Sequence, residues 1–156
     1  MSNLDINEVL AALQAHCGES IQLIGEDSQA ALLVMPERML EVLDILKTNE
    51  FYQFNMLRNL TAVDYLEYME IVYHLYSLPL RHAITIKVRC TMEDSTVPSV
   101  TKIWPSANFQ EREIYDLLGV HFTGHPDLRR ILMPEEFTEH PLRKAYNFVG
   151  NTGEKR

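Results

Sequence analysis

Residues 69–90 read MEIVYHLYSLPLRHAITIKVRC. In the second half, Ile84, Ile86 and Val88 alternate with Thr85, Lys87 and Arg89. A period of two puts the apolar set on one face of a strand. Met69–Ser77 is rich in aromatic and β-branched residues, and Leu78-Pro79-Leu80-Arg81 joins the two runs as a turn. Together they predict an antiparallel hairpin with one buried face. Upstream, Leu60–Tyr65 reads as a third strand, and the three form a meander.

Towards the N-terminus, Asn3–Cys17 reads as a helix, because Ile6, Val9, Leu10 and Leu13 recur at helical spacing. Asp5 or Asn7 can cap it, and Gly18 stops it. Ser20–Ile24 and Gln29–Met35 follow as a strand pair turned at Gly25–Ser28, the second strand apolar enough for burial on both faces. Pro36 then opens a helix with Met39, Leu40, Val42, Leu43 and Leu46 on its apolar side. Beyond the meander, Thr91–Pro98 is acidic and polar, and Pro98–Ile103 reads as a short helical turn broken by Trp104-Pro105. Ser106 or Asn108 can cap a helix running to Leu118, with Glu111 and Glu113 near its positive end. Little regular structure is expected after Gly119. The predicted order is α-β-β-α-β-β-β, then short helices and an extended tail. This is an α+β chain folded as a two-layer α/β sandwich, divided into a globular part (1–119) and a docking tail (120–156).

The chain has 156 residues, enough for one domain with a substantial core. A net charge of −8 disfavours a nucleic-acid partner. Cys17 and Cys90 stand far apart without metal-ligand spacing and read as small buried apolar side chains in a reducing compartment. The first residues lack the basic start of a signal peptide, and no run approaches the roughly 18 apolar residues of a membrane span.

The remaining signal is the segment 109–146, FQEREIYDLLGVHFTGHPDLRRILMPEEFTEHPLRKAY. It is too apolar for plain disorder and lacks a period that would fold it alone, so it is expected to be pinned against something and partly mobile when free. Three kinds of chemistry are available to it. His121, His125 and His140 can be read as metal ligands of a hydrolase, but Gly119, Gly124 and Pro126 break the helix that would align them. Glu111 and Glu113 can be read as an acid/base pair, but on a helix they point apart. Helix-end carboxylates with an internal Arg112 partner are the simpler reading. Arg129-Arg130 and Arg143-Lys144 can clamp an anion or meet an acidic protein surface, and the proline spacing favours a protein. A general peptide-binding adaptor would share these features. No Gly-rich phosphate loop, nucleophile elbow or Cys-x-x-Cys is present.

The run from Glu111-Arg112-Glu113 through Tyr115-Asp116-Leu117, Gly119-Val120, Phe122 and Gly124-His125-Pro126-Asp127-Leu128-Arg129-Arg130 to Pro134 resembles a known signature. It is that of the 30-kDa-subunit family of proton-pumping NADH–quinone oxidoreductase (respiratory complex I). Glu135-Glu136-Phe137 and His140-Pro141-Leu142-Arg143-Lys144 extend the likeness, as do Leu60–Tyr65 and Ile103–Asn108 upstream. Phe109 stands where that family usually has Trp, and Ala145 where it has Asp; a long C-terminal extension seen in some relatives is also missing. The resemblance implies a mixed sheet and a non-catalytic subunit of the hydrophilic arm. Such a subunit has no cofactor of its own, the flavin and iron–sulfur clusters lying in partner subunits. It would sit on the cytoplasmic side of the inner membrane, held there by the quinone-site subunit and the iron–sulfur subunits. The residues implied at the partner interface are Glu111, Arg112, Glu113, Asp116, His125, Asp127, Arg129, Arg130, His140, Arg143 and Lys144. Complex-I-like membrane-bound hydrogenases use a similar subunit, so the sequence leaves the electron donor open.

Overall fold

The computed structural model describes residues 4–134 and 136–144. Helix α1 (Ile6–Cys17) starts where the Asp5 carboxylate accepts the Asn7 N–H at 2.9 Å, and it buries Val9, Leu13 and Cys17. It ends at Gly18, whose φ of 63° suits glycine. Strands β1 (Ile21–Ile24) and β2 (Ala31–Val34) pair antiparallel. Helix α2 (Met39–Thr48) buries Met39, Val42, Leu43 and Leu46. The meander follows as β3 (Met56–Asp64), β4 (Tyr68–Ser77) and β5 (His82–Thr91). A short β6 (Thr96–Pro98), helix α3 (Ala107–Leu118) and β7 (His121–Thr123) complete the elements.

The five-stranded sheet runs β1-β2-β5-β4-β3, and it is mixed because β2 pairs parallel to β5. Met69, Ile71, Tyr73 and Leu75 of β4 join Ile84, Ile86, Val88 and Cys90 of β5 on the face that packs against the helices. The other face carries the alternate set. There Glu70 is opposite Arg89 and only 2% exposed, taking Arg89 Nε at 2.9 Å and Lys87 Nζ at 3.3 Å. The α+β, two-layer reading and the period-two meander stand as expected.

Several local expectations change. Strand β3 begins at Met56 rather than Leu60, because a register irregularity between Leu57 and Asn59 breaks the alternation that would have marked it. The polar stretch after Thr91 contains β6, which pairs parallel with β7 in a separate two-stranded sheet. Strand β7 lies beyond Gly119, and both its Phe122 and the preceding Val120 are buried in the core. Pro98 ends β6, and the short helical turn expected over 98–103 is confined to its second half, where Val100 O accepts the Ile103 and Trp104 N–H groups. Trp104 is nonetheless a core residue, its indole N–H donating to Phe54 O at 3.1 Å. Helix α3 starts at Ala107, so Glu111 lies past its first turn and Ser106 makes no side-chain cap. Both cysteines are free and buried, and burial pushes the Cys90 thiol up to about 11.

Candidate functional site

Ala107, Glu111, Ile114 and Leu118 recur at helical spacing on α3 and are all buried, so this row faces the core. Asp116 is off that row yet is also fully buried. What covers it is the chain that returns after β7. Asp116 Oδ2 accepts the backbone N–H groups of Ile131 (3.1 Å), Leu132 (2.6 Å) and Met133 (2.8 Å), while Oδ1 accepts Arg130 Nη1 at 2.6 Å. Three successive amides closing on one carboxylate form an anion nest, with Asp116 itself as the anion. Burial pushes the Asp116 carboxyl up, but the amides of Met133 and Leu132, the Arg130 guanidinium and the amide of Ile131 outweigh it. Its pKa is held below the ordinary value.

The rest of the strap is fixed to the same end of α3. Arg130, 8% exposed, also donates to Asp116 O at 3.0 Å and to Glu139 O at 2.8 Å. His140 Nδ1 lies 3.0 Å from Asp116 O, and Leu142 N–H donates to Leu117 O. Arg143 donates from Nε to Leu118 O at 2.5 Å and from Nη2 to Ser95 Oγ at 3.2 Å and Gly119 O at 3.4 Å. These carbonyls are the ones a helix C-terminus leaves without intrahelical donors. Arg112 donates to Arg129 O and Arg130 O, both at 3.1 Å. The Lys144 N–H donates to Asp64 Oδ2 at 2.8 Å, and Asp64 Oδ1 accepts the Leu66 N–H at 2.7 Å, which ties the strap to the end of β3. Gly119 has a φ of 75°, and a Cβ there would stand 2.7 Å from the His140 ring. It is a glycine for both reasons.

The residues expected at a partner interface therefore fall into two groups. Glu111, Arg112, Asp116, His125, Arg130, His140 and Arg143 are engaged inside the chain. His125 receives the Asp127 N–H on Nδ1 at 2.9 Å, so its Nε2 carries the proton and donates to Asn108 O at 3.1 Å. Glu113, Lys144 and the Asp127–Arg129 ion pair (3.0 Å) present their side chains to solvent. The arginine doublet is thus split: Arg130 builds the strap and Arg129 decorates it. Glu111 has no Arg112 partner; it accepts from Ser99 and Val100. His125 and His140 are engaged separately and His121 is exposed, and among the described residues no three His, Cys, Asp or Glu form a group able to hold a metal. Ala145, Glu135 and residues 146–156 lie outside the described residues. Asp64 and Ser95 were missed from sequence because their partners lie 80 and 48 positions away.

No helix among the described residues is long and apolar enough to cross a membrane. The family model described as "Respiratory-chain NADH dehydrogenase, 30 Kd subunit" matches residues 32–152. The C subunit of NADH-quinone oxidoreductase from Roseiflexus castenholzii is 44% identical over 147 residues, covering 90% of this chain and 83% of the relative. Its namesake from Moorella thermoacetica is 48% identical over 126 residues, covering 80% and 84% respectively. Among solved structures, "Nqo5 of the trypsin-resistant fragment (1-134) in P63 form" aligns with a TM-score of 0.67 at 32% identity, over 79% of this chain and 98% of that one. A chain of an archaeal membrane-bound sulfane sulfur reductase complex shares the fold, with a TM-score of 0.73 at 24% identity over 93% of this chain and 88% of that one. With the family model matching residues 32–152 and relatives 44% and 48% identical over most of its length, this chain belongs to the family of the 30 kDa subunit of respiratory-chain NADH dehydrogenase.

Proposed function

We propose that this chain is the 30 kDa subunit of a proton-translocating NADH–quinone oxidoreductase. In this reading it holds no cofactor and performs no catalytic step. It docks the quinone-site subunit and the iron–sulfur subunits on the cytoplasmic side of the inner membrane, and electrons pass from NADH to quinone through cofactors in those partners. The names of the relatives support NADH as donor and quinone as acceptor. The observation that carries the docking role is the strap itself. Its internal hydrogen bonds fix residues 129–133 and 140–143 on α3, while Phe109 (64%), Leu132 (57%) and Leu142 (59%) are exposed, as are Glu113, Arg129 and Lys144. A preorganised surface with apolar anchors and a charged rim is what a permanent protein–protein interface uses, since little ordering entropy is lost on assembly.

The test is the pair of substitutions Leu132→Asp and Leu142→Asp in the tagged full chain. Neither side chain is needed for the core, so the variants are expected to fold with unchanged circular dichroism. They are expected to lose co-purification with the quinone-site subunit from gently solubilised membranes. Folded variants that recover the same partners at the same yield would remove this face from the proposed interface.

A further inference from the structure

Helix α3 holds two fully buried carboxylates in opposite ways. Asp116 has a guanidinium and three amides. Glu111 has neutral donors alone: its Oε1 accepts Ser99 Oγ at 2.7 Å and the Val100 N–H at 3.1 Å. Its Oε2 is buried without a hydrogen-bond partner, and no Lys, Arg or His of the described residues forms an ion pair with it. Tyr73, at the centre of β4, is equally buried, and its hydroxyl is likewise without a hydrogen-bond partner. Burial first, and then the Glu111 charge, pushes the Tyr73 phenol well above its ordinary range, so an ionised Glu111 is felt at the centre of the sheet. A carboxylate without a cation in such surroundings is costly, whereas a neutral acid is tolerated. With two donors already on Oε1, that oxygen is the carbonyl of the acid and Oε2 carries the proton.

We propose that Glu111 is a proton-binding site inside the core: as a neutral acid it latches the 99–101 loop onto α3. Its ionisation leaves an uncompensated charge in the core, loosening α3 and, through Asp116, the strap. Burial accordingly pushes the Glu111 carboxyl up to about 7, against the smaller opposite pull of Ser99 and Val100. The titratable groups on the neighbouring elements offer no counter-charge. Tyr73 of β4 and Cys90 of β5 are acids held neutral by burial, the thiol acted on in turn by Asp94 and Arg143. Asp64 of β3 is committed to the amides of Leu66 and Lys144, Arg58 of β3 lies over the Tyr76 ring, and His121 of β7 is exposed.

The folded chain thus holds this proton to higher pH than the ordinary 4.5 of an unfolded glutamate. The stabilisation is complete below 4.5, falls as pH rises from there through about 7, and levels off above. Denaturant unfolding of the full chain between those limits, for wild type and the isosteric, permanently neutral Glu111→Gln, reads it. The wild-type folding constant is expected to fall relative to the variant by on the order of a hundredfold across the window. Parallel curves would overturn the proposal. Should Glu111→Gln not fold, infrared spectroscopy of the wild-type chain decides. A protonated-carboxyl band present on the acid side of neutrality is expected to titrate away near neutral pH, with a higher midpoint in Ser99→Ala, which loses a donor to the ionised form. Absence of the band, or a midpoint unmoved by Ser99→Ala, would contradict it.

Discussion

Asp116 shows how a single side chain can define a segment. It sits at the end of a helix, where a carboxylate is disfavoured by the helix dipole, and it is fully buried. Both penalties are offset by donors brought from 14 to 17 residues downstream. Removing it by Asp116→Ala leaves Arg130 without its counter-charge and three amides without an acceptor. The expected loss is about 3–5 kcal/mol in denaturant unfolding. Arg129→Ala, which breaks an exposed ion pair, is expected to change stability by less than about 1 kcal/mol. If both substitutions had the same effect, the division of the doublet into a buried and a surface arginine would be wrong. Because the folded pKa of Asp116 is depressed, its contribution is present above the ordinary 3.8 and is lost as pH falls through the folded value. Asp116→Asn should therefore show a shallower acid limb than wild type. Gly119→Ala is predicted to destabilise by at least about 1 kcal/mol, since the positive φ and the His140 ring both oppose a Cβ; an unchanged midpoint would contradict that geometry.

Among the elements, β4 and β5 were legible because alternation is a local property and their pairing needs only a short turn. Strand β3 hid its first four residues behind the irregularity at Leu57/Asn59, and β6 and β7 were too short to show a period. Burial of Glu111 could have been read from sequence, since it occupies the same helical row as Ala107, Ile114 and Leu118. Its assignment to the helix start failed because the helix begins earlier than its charges suggest. The strap could not be read at all from spacing: its prolines and lack of period described a segment that needs a support, and the support turned out to include α3 of the same chain. The amides of Ile131, Leu132 and Met133 are consequently predicted to exchange slowly in the isolated wild-type chain and to lose that protection in Asp116→Ala. Fast exchange of all three in the wild-type chain would show that the strap is held by partners instead.

For the whole molecule, the family was legible because the signature block is long, and the structure shows what many of its charged residues do together. Arg112, Asp116, Arg130 and Arg143 fasten the strap to α3 and Glu111 holds Ser99 and Val100, so charges that look like a recognition surface in the sequence are largely internal fastenings. The surface proposed for docking is left to the exposed Phe109, Glu113, Arg129, Leu132, Leu142 and Lys144. Membership of a working respiratory assembly is tested by affinity purification of the tagged full chain from gently solubilised native membranes, with mass spectrometry of what accompanies it. The predicted result is recovery of the quinone-site subunit, iron–sulfur subunits and a flavin-bearing NADH-oxidising subunit in fixed proportion. Recovery of the chain alone, from membranes whose NADH–quinone oxidoreductase is intact and lacks it, would contradict that membership.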